Sequence, residues 1–252
     1  VTFFDVGQGD AIFIEAPGGN QILVDGGPDS RILAKLGRIM PFWDGSLDLL
    51  IVTHPHADHL AGFLDVLKRY DIGMVMTSDV GHGTPEYTEW QALVKRYSVP
   101  VVIARKGQRI DAGRGVAIDI LSPAEDAAAS ASDPHDANII SRISYGETTI
   151  LLTGDAEKSL EYRLLFETPS MLDADILKVG HHGSKTSSTE AFLKAISPDM
   201  AVVSAGKKNR YGHPHADVLE RFARLGIPVF RTDQMGNITI ESDGVRHYLI
   251  SR

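Results

Sequence analysis

Four side chains that can bind a metal ion fall within six residues: His54, His56, Asp58 and His59. They directly follow residues 48–53, a mostly apolar run typical of a strand covered on both faces. In an extended loop, residues i and i+2 point the same way, so His54 and His56 can share one ion. Asp58 and His59 lie at the turn into a helix and can face a second ion. The spacing favours a metal centre over a polar loop with chance histidines.

Three later apolar runs also end in polar side chains. Asp155 follows the first run, His181 and His182 follow the second, and His213 follows the third after a loop. Loops at the carboxyl ends of strands are where α/β folds gather their chemistry, so we expect these side chains to meet the histidine cluster. The three runs are residues 149–153, 175–179 and 201–204.

Each of these assignments has a structural alternative. Asp155 can instead cap a helix over residues 156–166, and His213 can be a turn residue before a proline. One of His181 and His182 can bind metal while the other orients a phosphate or protonates a leaving group. His82 lies between two glycines and is predicted to be a surface residue.

The composition narrows the classes of site. The chain has no cysteine, so disulfides and cysteine-based zinc sites are excluded and a transition metal must bind histidine and carboxylate. The net charge of −8 argues against a generic nucleic-acid binder. Bound divalent cations and the local basic cluster at residues 207–210 soften that objection. No apolar run approaches the ~20 residues that a membrane span requires.

Strands and helices are predicted from apolar periodicity and turn residues. Helices are expected at residues 59–70, 85–97 with Thr84 as cap, 156–166 and 217–225, and a capping box from Ser187 to Glu190 predicts another that ends at Ala195. The Ala-, Ser- and Asp-rich stretch 124–134 is predicted to be a surface loop. The predicted strands are residues 2–6, 11–15, 21–25, 48–53, 149–153, 175–179 and 201–204.

The chain resembles the metallo-β-lactamase superfamily, and within it the C-terminal, nuclease-like domain of the ComEC competence family. The resemblance covers residues 2–240 or so. Beyond the histidine cluster, it rests on four stretches: residues 4–11 (FDVGQGDA), 24–27 (VDGG), 153–155 (TGD) and 178–184 (KVGHHGS).

This resemblance implies an α/β fold, a four-layer αββα sandwich, as a single domain over residues 1–252. It also implies a piece of a longer bacterial inner-membrane protein that takes up DNA, with this soluble domain on the extracytoplasmic side. The expected partners are DNA, preferably single-stranded, the membrane channel and the other domains of the parent protein. No small organic cofactor is expected.

The resemblance further implies a ligand set for two divalent ions. His54, His56, Asp58 and His59 bind them, Asp155 bridges them, and His213 is the late ligand of the second ion. His182 then matches a substrate-side histidine. Mn²⁺ is the expected ion, with Zn²⁺ as the alternative.

The third ligand of the first ion stays open between two residues. Many family members have a histidine in mid-chain, where this chain places Asn138. An amide oxygen is a harder ligand than imidazole and suits Mn²⁺ or Mg²⁺ better than Zn²⁺. His135 lies three residues earlier and can take the role instead.

The expected chemistry is hydrolysis by water that the two ions activate. Asp58 orients that water or takes its proton, and His182 or a metal-bound water protonates the leaving oxygen. His181 is a further candidate catalytic residue. Asp25 is predicted to support a ligand histidine from behind, and Asp10 to line the same edge. Flanking phosphates are expected to contact four basic residues, whose alternative is an ordinary solvated surface. These are Lys185, Lys207, Lys208 and Arg210.

Two rival functions remain at this point. The same site can hydrolyse a small ester, a lactone or a phosphorylcholine head group, since one fold hosts many chemistries. The chain can also be an inactive module that binds DNA or partner proteins, an idea motivated by the absence of a histidine at position 138.

Overall fold

The computed structural model describes residues 1–124 and 134–250. The loop predicted at residues 124–134 lies, except for its two ends, outside the described residues. Within those residues, no helix is both long and apolar enough to cross a membrane.

The first sheet has eight strands in the order β15-β14-β1-β2-β3-β4-β5-β6. Strands β3 to β6 run parallel, and the remaining pairs are antiparallel. The last two strands of the chain complete this sheet, because β14 pairs with β1. The strands are β1 (Thr2–Phe3), β2 (Ile12–Glu15), β3 (Gln21–Val24), β4 (Ser46–Val52), β5 (Asp71–Thr77), β6 (Val101–Ile103), β14 (Ile238–Ser242) and β15 (His247–Ile250).

The second sheet has seven strands in the order β13-β12-β11-β10-β9-β8-β7. Strands β10 to β13 run parallel, so this sheet repeats the half-parallel, half-antiparallel plan of the first. The strands are β7 (Arg109–Gly113), β8 (Val116–Ser122), β9 (Ile140–Tyr145), β10 (Thr148–Leu152), β11 (Ile176–Lys178), β12 (Met200–Val203) and β13 (Val229–Arg231).

Eight α-helices and three 3₁₀ turns connect the strands of the described part of the chain. The helices are α1 (Arg31–Ile39), α2 (Ala57–Leu60), α3 (Phe63–Arg69), α4 (Pro85–Arg96), α5 (Lys158–Glu167), α6 (Glu190–Ile196), α7 (Ala216–Arg224) and α8 (Thr232–Met235). The 3₁₀ turns are Pro134–Ala137, Pro169–Met171 and Gly180–Gly183.

Three apolar cores define four layers. The central core joins the facing sides of the two sheets, for example through Phe3 and Ile118. A second core packs α1, α3 and α4 on the outer side of the first sheet, and a third packs α5, α6 and α7 on the second. The predicted α/β fold, a four-layer αββα sandwich, is therefore confirmed.

Two helix predictions need correction. The single helix expected over residues 59–70 is two helices, because Gly62 N–H donates to Gly27 O at 2.9 Å and interrupts the helical bonding. The capping box is also wrong: the cap of α6 is Thr189, whose Oγ1 accepts from Phe192 N. Ser187 Oγ donates instead to Gly180 O at 2.7 Å.

Candidate metal centre

The histidine cluster lies where β4 leaves the first sheet. His56 has an extended backbone (φ −71°, ψ 148°) and caps α2, so Asp58 and His59 fall in the first turn of that helix. His54 Nε2 lies 3.1 Å from His56 Nδ1, as expected for two ligand atoms aimed at one point. The local fold thus turns a sequence cluster into two adjacent donor groups.

The first donor set surrounds Asp155 Oδ2. His54 Nε2 lies 3.7 Å from this oxygen and His135 Nε2 lies 4.0 Å from it. The ring nitrogens of His54, His56 and His135 all lie within 4.8 Å of one another. His135 comes from the 3₁₀ turn before β9, so the second sheet completes a site that the first sheet begins.

The second donor set surrounds the other oxygen of the same carboxylate. Asp155 Oδ1 lies 3.4 Å from His59 Nε2 and 3.6 Å from His182 Nε2. Asp58 Oδ2 closes the group at 3.4 Å from His182 Nε2 and 4.0 Å from His59 Nε2. Asp155 therefore stands between two donor sets with one oxygen facing each.

These donors fit divalent cations. Ligand atoms 2.0–2.2 Å from one ion in a tetrahedron lie about 3.4 Å apart, which matches the separations of both sets. Three buried atoms that face each other also lack a hydrogen-bond partner among the described residues: His59 Nε2, Asp155 Oδ1 and His182 Nε2. Buried polar atoms normally have partners, and a cation held here would supply one to all three.

Hydrogen-bond partners at Nδ1 orient the rings of His54 and His59. Asp25 Oδ2 lies 2.7 Å from His59 Nδ1 and accepts from Thr53 Oγ1 at 2.7 Å. Since the Thr53 hydroxyl donates to Asp25, its lone pair can accept from His54 Nδ1 at 3.1 Å. Both rings then keep Nε2 free for a cation. Asp25 thus lies where the sequence analysis expected a supporting carboxylate.

Burial and neighbouring charges determine whether the histidine rings of the two donor sets are protonated. Burial, followed by neighbouring histidines, lowers the pKa of His54 well below its usual value and that of His56 to about 4, so both rings are neutral near pH 7. Burial also acts to lower the pKa of His182, but Asp155 and Asp10 raise it to about 10. A cation at the second set therefore replaces a proton on His182.

The two adjacent histidines point in different directions. His181 and His182 both have left-handed backbones (φ 46° and 53°), a conformation that costs non-glycine residues energy and clusters at functional sites. His182 is buried and faces Asp58, whereas His181 is half-buried with Nδ1 3.0 Å from Glu157 Oε1. His181 Nε2 lies 3.7 Å from Asp155 Oδ2, at the outer side of the first donor set.

Of the two candidates for the third ligand of the first ion, His135 lies in the first donor set, whereas the side chain of Asn138 packs against Gly154. Asn138 is fully buried, and its Nδ2 donates weakly to Thr153 O at 3.5 Å. Its side chain packs against Gly154, where a Cβ would lie 2.5 Å from Asn138 Oδ1. Asn138 therefore underlies the turn that presents Asp155.

His213 lies farther out than the sequence analysis expected. Its ring is 6.2 Å from the ring of His182, which takes the position against Asp58 and Asp155. His213 is half-buried, stacks on Tyr211 at 5.6 Å and lies 3.5 Å from the Gln8 amide. In the structure, His182 lies at the second donor set, and His213 lies beyond it.

Two further residues lie near the site although the sequence analysis did not place them there. His82 was expected on the surface, but it is half-buried with its ring 5.2 Å from His56. Glu157 went unnoticed at the cap of α5, where it contacts His181. The signal for Glu157 was its position two residues after Asp155 at a strand end, which puts both carboxylates at one edge.

The four predicted basic residues are exposed. Lys207, Lys208 and Arg210 lie on the loop after β12, and Lys185 follows the Gly180–Gly183 turn. The loop is tied to the site from within, because Asn209 Nδ2 donates to His213 O at 2.6 Å. This loop therefore leads into His213, whose ring lies 6.2 Å from that of His182.

Comparison with protein families and relatives agrees with this site. A family model described as "Metallo-beta-lactamase superfamily" matches residues 4–207. The chain is 32% identical to "ComE operon protein 3" of Bacillus subtilis over 94% of this chain and 32% of that protein. It is 32% identical to "Recombination protein 2" of Haemophilus influenzae, over 95% of this chain and 28% of that protein.

A third relative carries a more explicit name. The chain is 30% identical to "Competence protein ComA" of Neisseria gonorrhoeae, over 94% of this chain and 31% of that protein. The chain thus spans about a third of the length of the curated relatives it matches.

A solved structure supports the fold independently. The metallo-beta-lactamase fold protein YhfI from Bacillus subtilis superposes with a TM-score of 0.57 at 16% identity. The match covers 91% of this chain and 95% of that one. At this identity, the likeness shows that the two chains share a fold.

Proposed function

The chain belongs to the metallo-beta-lactamase superfamily, and on that premise we propose that it is a metal-dependent phosphodiesterase that degrades one strand of DNA during DNA uptake. One observation carries the proposal: Asp155 stands between two donor sets with one carboxylate oxygen toward each. Paired sites of this kind suit phosphodiester cleavage, because both the attacking and the leaving oxygen need stabilisation.

Two divalent cations, when bound, supply an activated water and positive charge for the transition state. The chain's own residues do the rest. The first donor set would hold one cation and the second set the other. The first set is His54, His56, His135 and Asp155, and the second is Asp58, His59, His182 and Asp155. Asp25 keeps the His59 ring oriented.

His181 is the proposed proton donor to the leaving oxygen. Its Nδ1 faces Glu157, which leaves Nε2 at the open side of the first set. A carboxylate on one ring nitrogen fixes the other for proton transfer, which contributes typically 10²- to 10⁴-fold in rate. His182, by contrast, is proposed as a ligand because it is buried and its Nε2 faces two carboxylates.

Substrate positioning is proposed for the basic loop. Lys207, Lys208, Arg210 and Lys185 are exposed and can pair with flanking phosphates without reading sequence. These contacts offset the overall charge of −8 only near the site. Because they are electrostatic, DNA binding is expected to weaken steeply as the salt concentration rises.

The cellular setting is proposed from the relatives. One is named a competence protein and another a recombination protein, and both are about three times longer than this chain. We infer that this domain works beside a membrane channel, on the extracytoplasmic side, on single-stranded DNA. Mn²⁺ is the proposed ion and Zn²⁺ the alternative. The imidazoles of the two sets favour Zn²⁺, whereas the Asp58 and Asp155 carboxylates suit Mn²⁺.

The test is cleavage of end-labelled single- and double-stranded DNA by the purified chain with Mn²⁺, with Zn²⁺ and with a chelator. We expect metal-dependent cleavage that Asp155→Asn abolishes, because the shared carboxylate is lost from both sets. Asp199→Asn, an exposed carboxylate 3.9 Å from His247, is the matched control and should leave cleavage intact. Cleavage of a small ester or phosphorylcholine but not of DNA would support the small-substrate reading. No hydrolysis with two bound ions would support the inactive module.

A further inference from the structure

A buried lysine and a buried aspartate meet behind the second donor set. Lys178 is the last residue of β11 and is fully buried, and Asp10 is 1% exposed. Lys178 Nζ lies 2.7 Å from Asp10 Oδ2 and also donates to Val179 O at 3.0 Å. Taking two charges out of water often costs more than their attraction returns, so stability alone is a weak reason for such a pair.

Asp10 contacts two of the three non-bridging members of the second set, Asp58 and His182. Its Oδ1 lies 3.3 Å from His182 Nδ1, and its backbone N–H donates to Asp58 O at 3.3 Å. Neither carboxylate oxygen has an aligned hydrogen bond within the described residues, so the carboxylate acts on its neighbours through charge. The Asp10 contacts thus run to Asp58 and His182.

The backbone near Asp10 is packed to allow these contacts. Gly9 has φ +135°, and a Cβ there would lie 2.1 Å from Asp58 O. A side chain at position 9 would push the loop away from α2 and separate Asp10 from Asp58. The glycine therefore permits the close approach on which the arrangement depends.

His182 Nδ1 has two acceptors beside it. It lies 3.0 Å from Ser204 O and 3.3 Å from Asp10 Oδ1. Nδ1 carries the hydrogen that it donates to Ser204 O, and the nearby Asp10 charge favours that ring form, which leaves the Nε2 lone pair facing Asp58 and Asp155. The surroundings of Nδ1 therefore select the ring form that can bind a cation.

We propose that the Asp10–Lys178 pair is a positioning element for the second cation: Asp10 fixes the His182 ring and the loop of Asp58, and Lys178 balances the charge of that carboxylate. This inference rests on the two-cation site of the proposed function. Asp25, which supports His59, is held differently, by Thr53 N and Thr53 Oγ1. The pair acts on the second cation and leaves the first unaffected.

The experiment titrates Mn²⁺ into the chelator-treated full chain and separates the two binding steps by calorimetry and by the electron paramagnetic resonance signal of a spin-coupled pair. In Lys178→Met and in Asp10→Asn, we expect the second Mn²⁺ to bind about 10- to 100-fold more weakly, the usual range for such supporting residues. The first Mn²⁺ should bind as in wild type. The double variant D10N/K178M restores charge balance and should hold the second ion better than K178M alone.

Glu161→Gln is the matched control. Glu161 is a buried carboxylate of the same half, where it accepts from Ser188 N and Thr189 N, away from the donor sets. This variant should melt at a lower temperature yet bind both ions as wild type does. A merely structural role for Lys178 predicts the same pattern for Lys178→Met.

The following outcomes test the role of the Asp10–Lys178 pair. Wild-type affinity for both ions in K178M and D10N overturns the proposal, as does an equal loss of both ions. If K178M fails to fold, D10N, which keeps the side-chain volume, gives the answer. A wild-type chain that takes up a single cation contradicts this proposal and the proposed function together. Two bound cations without DNA cleavage contradict the proposed function alone.

Discussion

At the scale of residues, spacing grouped the candidate ligands, whereas the direction of each ring came only from the structure. His54, His56, Asp58 and His59 are contiguous, so their shared site could be predicted from spacing alone. His182 and His213 could not be told apart, because the direction of each ring depends on backbone angles. Two successive left-handed residues turn His182 inward and His181 outward, which no spacing rule foresees.

The different positions of His182 and His213 relative to the second donor set predict different effects of their removal on cation binding. We expect His182→Ala to lower the affinity for the second cation by more than about 100-fold, beyond the 10- to 100-fold range of supporting residues. His213→Ala should retain both ions, because its ring lies beyond that of His182. Metal content after dialysis, measured by mass spectrometry, checks both variants. Loss of the second ion from His213→Ala alone would restore the original sequence assignment.

At the scale of elements, the apolar strands were predictable because parallel strands buried on both faces are continuous apolar runs. Helix α1 was not, since only Ile32 and Leu36 are buried among its nine residues and the periodic signal is short. The cap of α6 was misplaced because three hydroxyl residues, Ser187, Ser188 and Thr189, precede the helix and local sequence cannot choose among them.

The cap of α6 can be tested by mutation. Thr189→Ala removes the acceptor for Phe192 N and is expected to cost about 1 kcal/mol of unfolding free energy. Thr189→Ser keeps the hydroxyl and should cost much less. Urea unfolding of both variants provides the comparison, with metal content unchanged in each. Equal stability of Thr189→Ala and wild type would show that the hydroxyl does not cap this helix.

At the scale of the whole molecule, the matched family segment is shorter than the folded unit. The family model ends at residue 207, but β14 and β15 complete the first sheet and α7 covers the second. Strand β1 would become a bare sheet edge without β14. Residues 208–250 are therefore part of the same sandwich.

Removing residues 208–250 is accordingly expected to prevent folding. The deletion takes away the buried side chains of Val218, Phe222, Ile238 and Ile240. Each contributes about 1.5–3 kcal/mol, and together they rival the ~5–15 kcal/mol stability of a whole domain. Amide dispersion in a nuclear magnetic resonance spectrum distinguishes a folded from an unfolded product, with the full chain as reference. A dispersed spectrum from the shortened chain would contradict this account.

The donor sets draw on both sheets, with His54 and His59 following the first and Asp155 and His182 following the second. A cation bound by side chains that follow both sheets would act as a clasp across the sandwich and would slow the separation of its halves. The lifetime of the folded chain should then follow the rate of cation release more than the quality of its apolar core. A chain stripped of its cations by a chelator should then be cleaved by proteases faster than the same chain with its clasp closed.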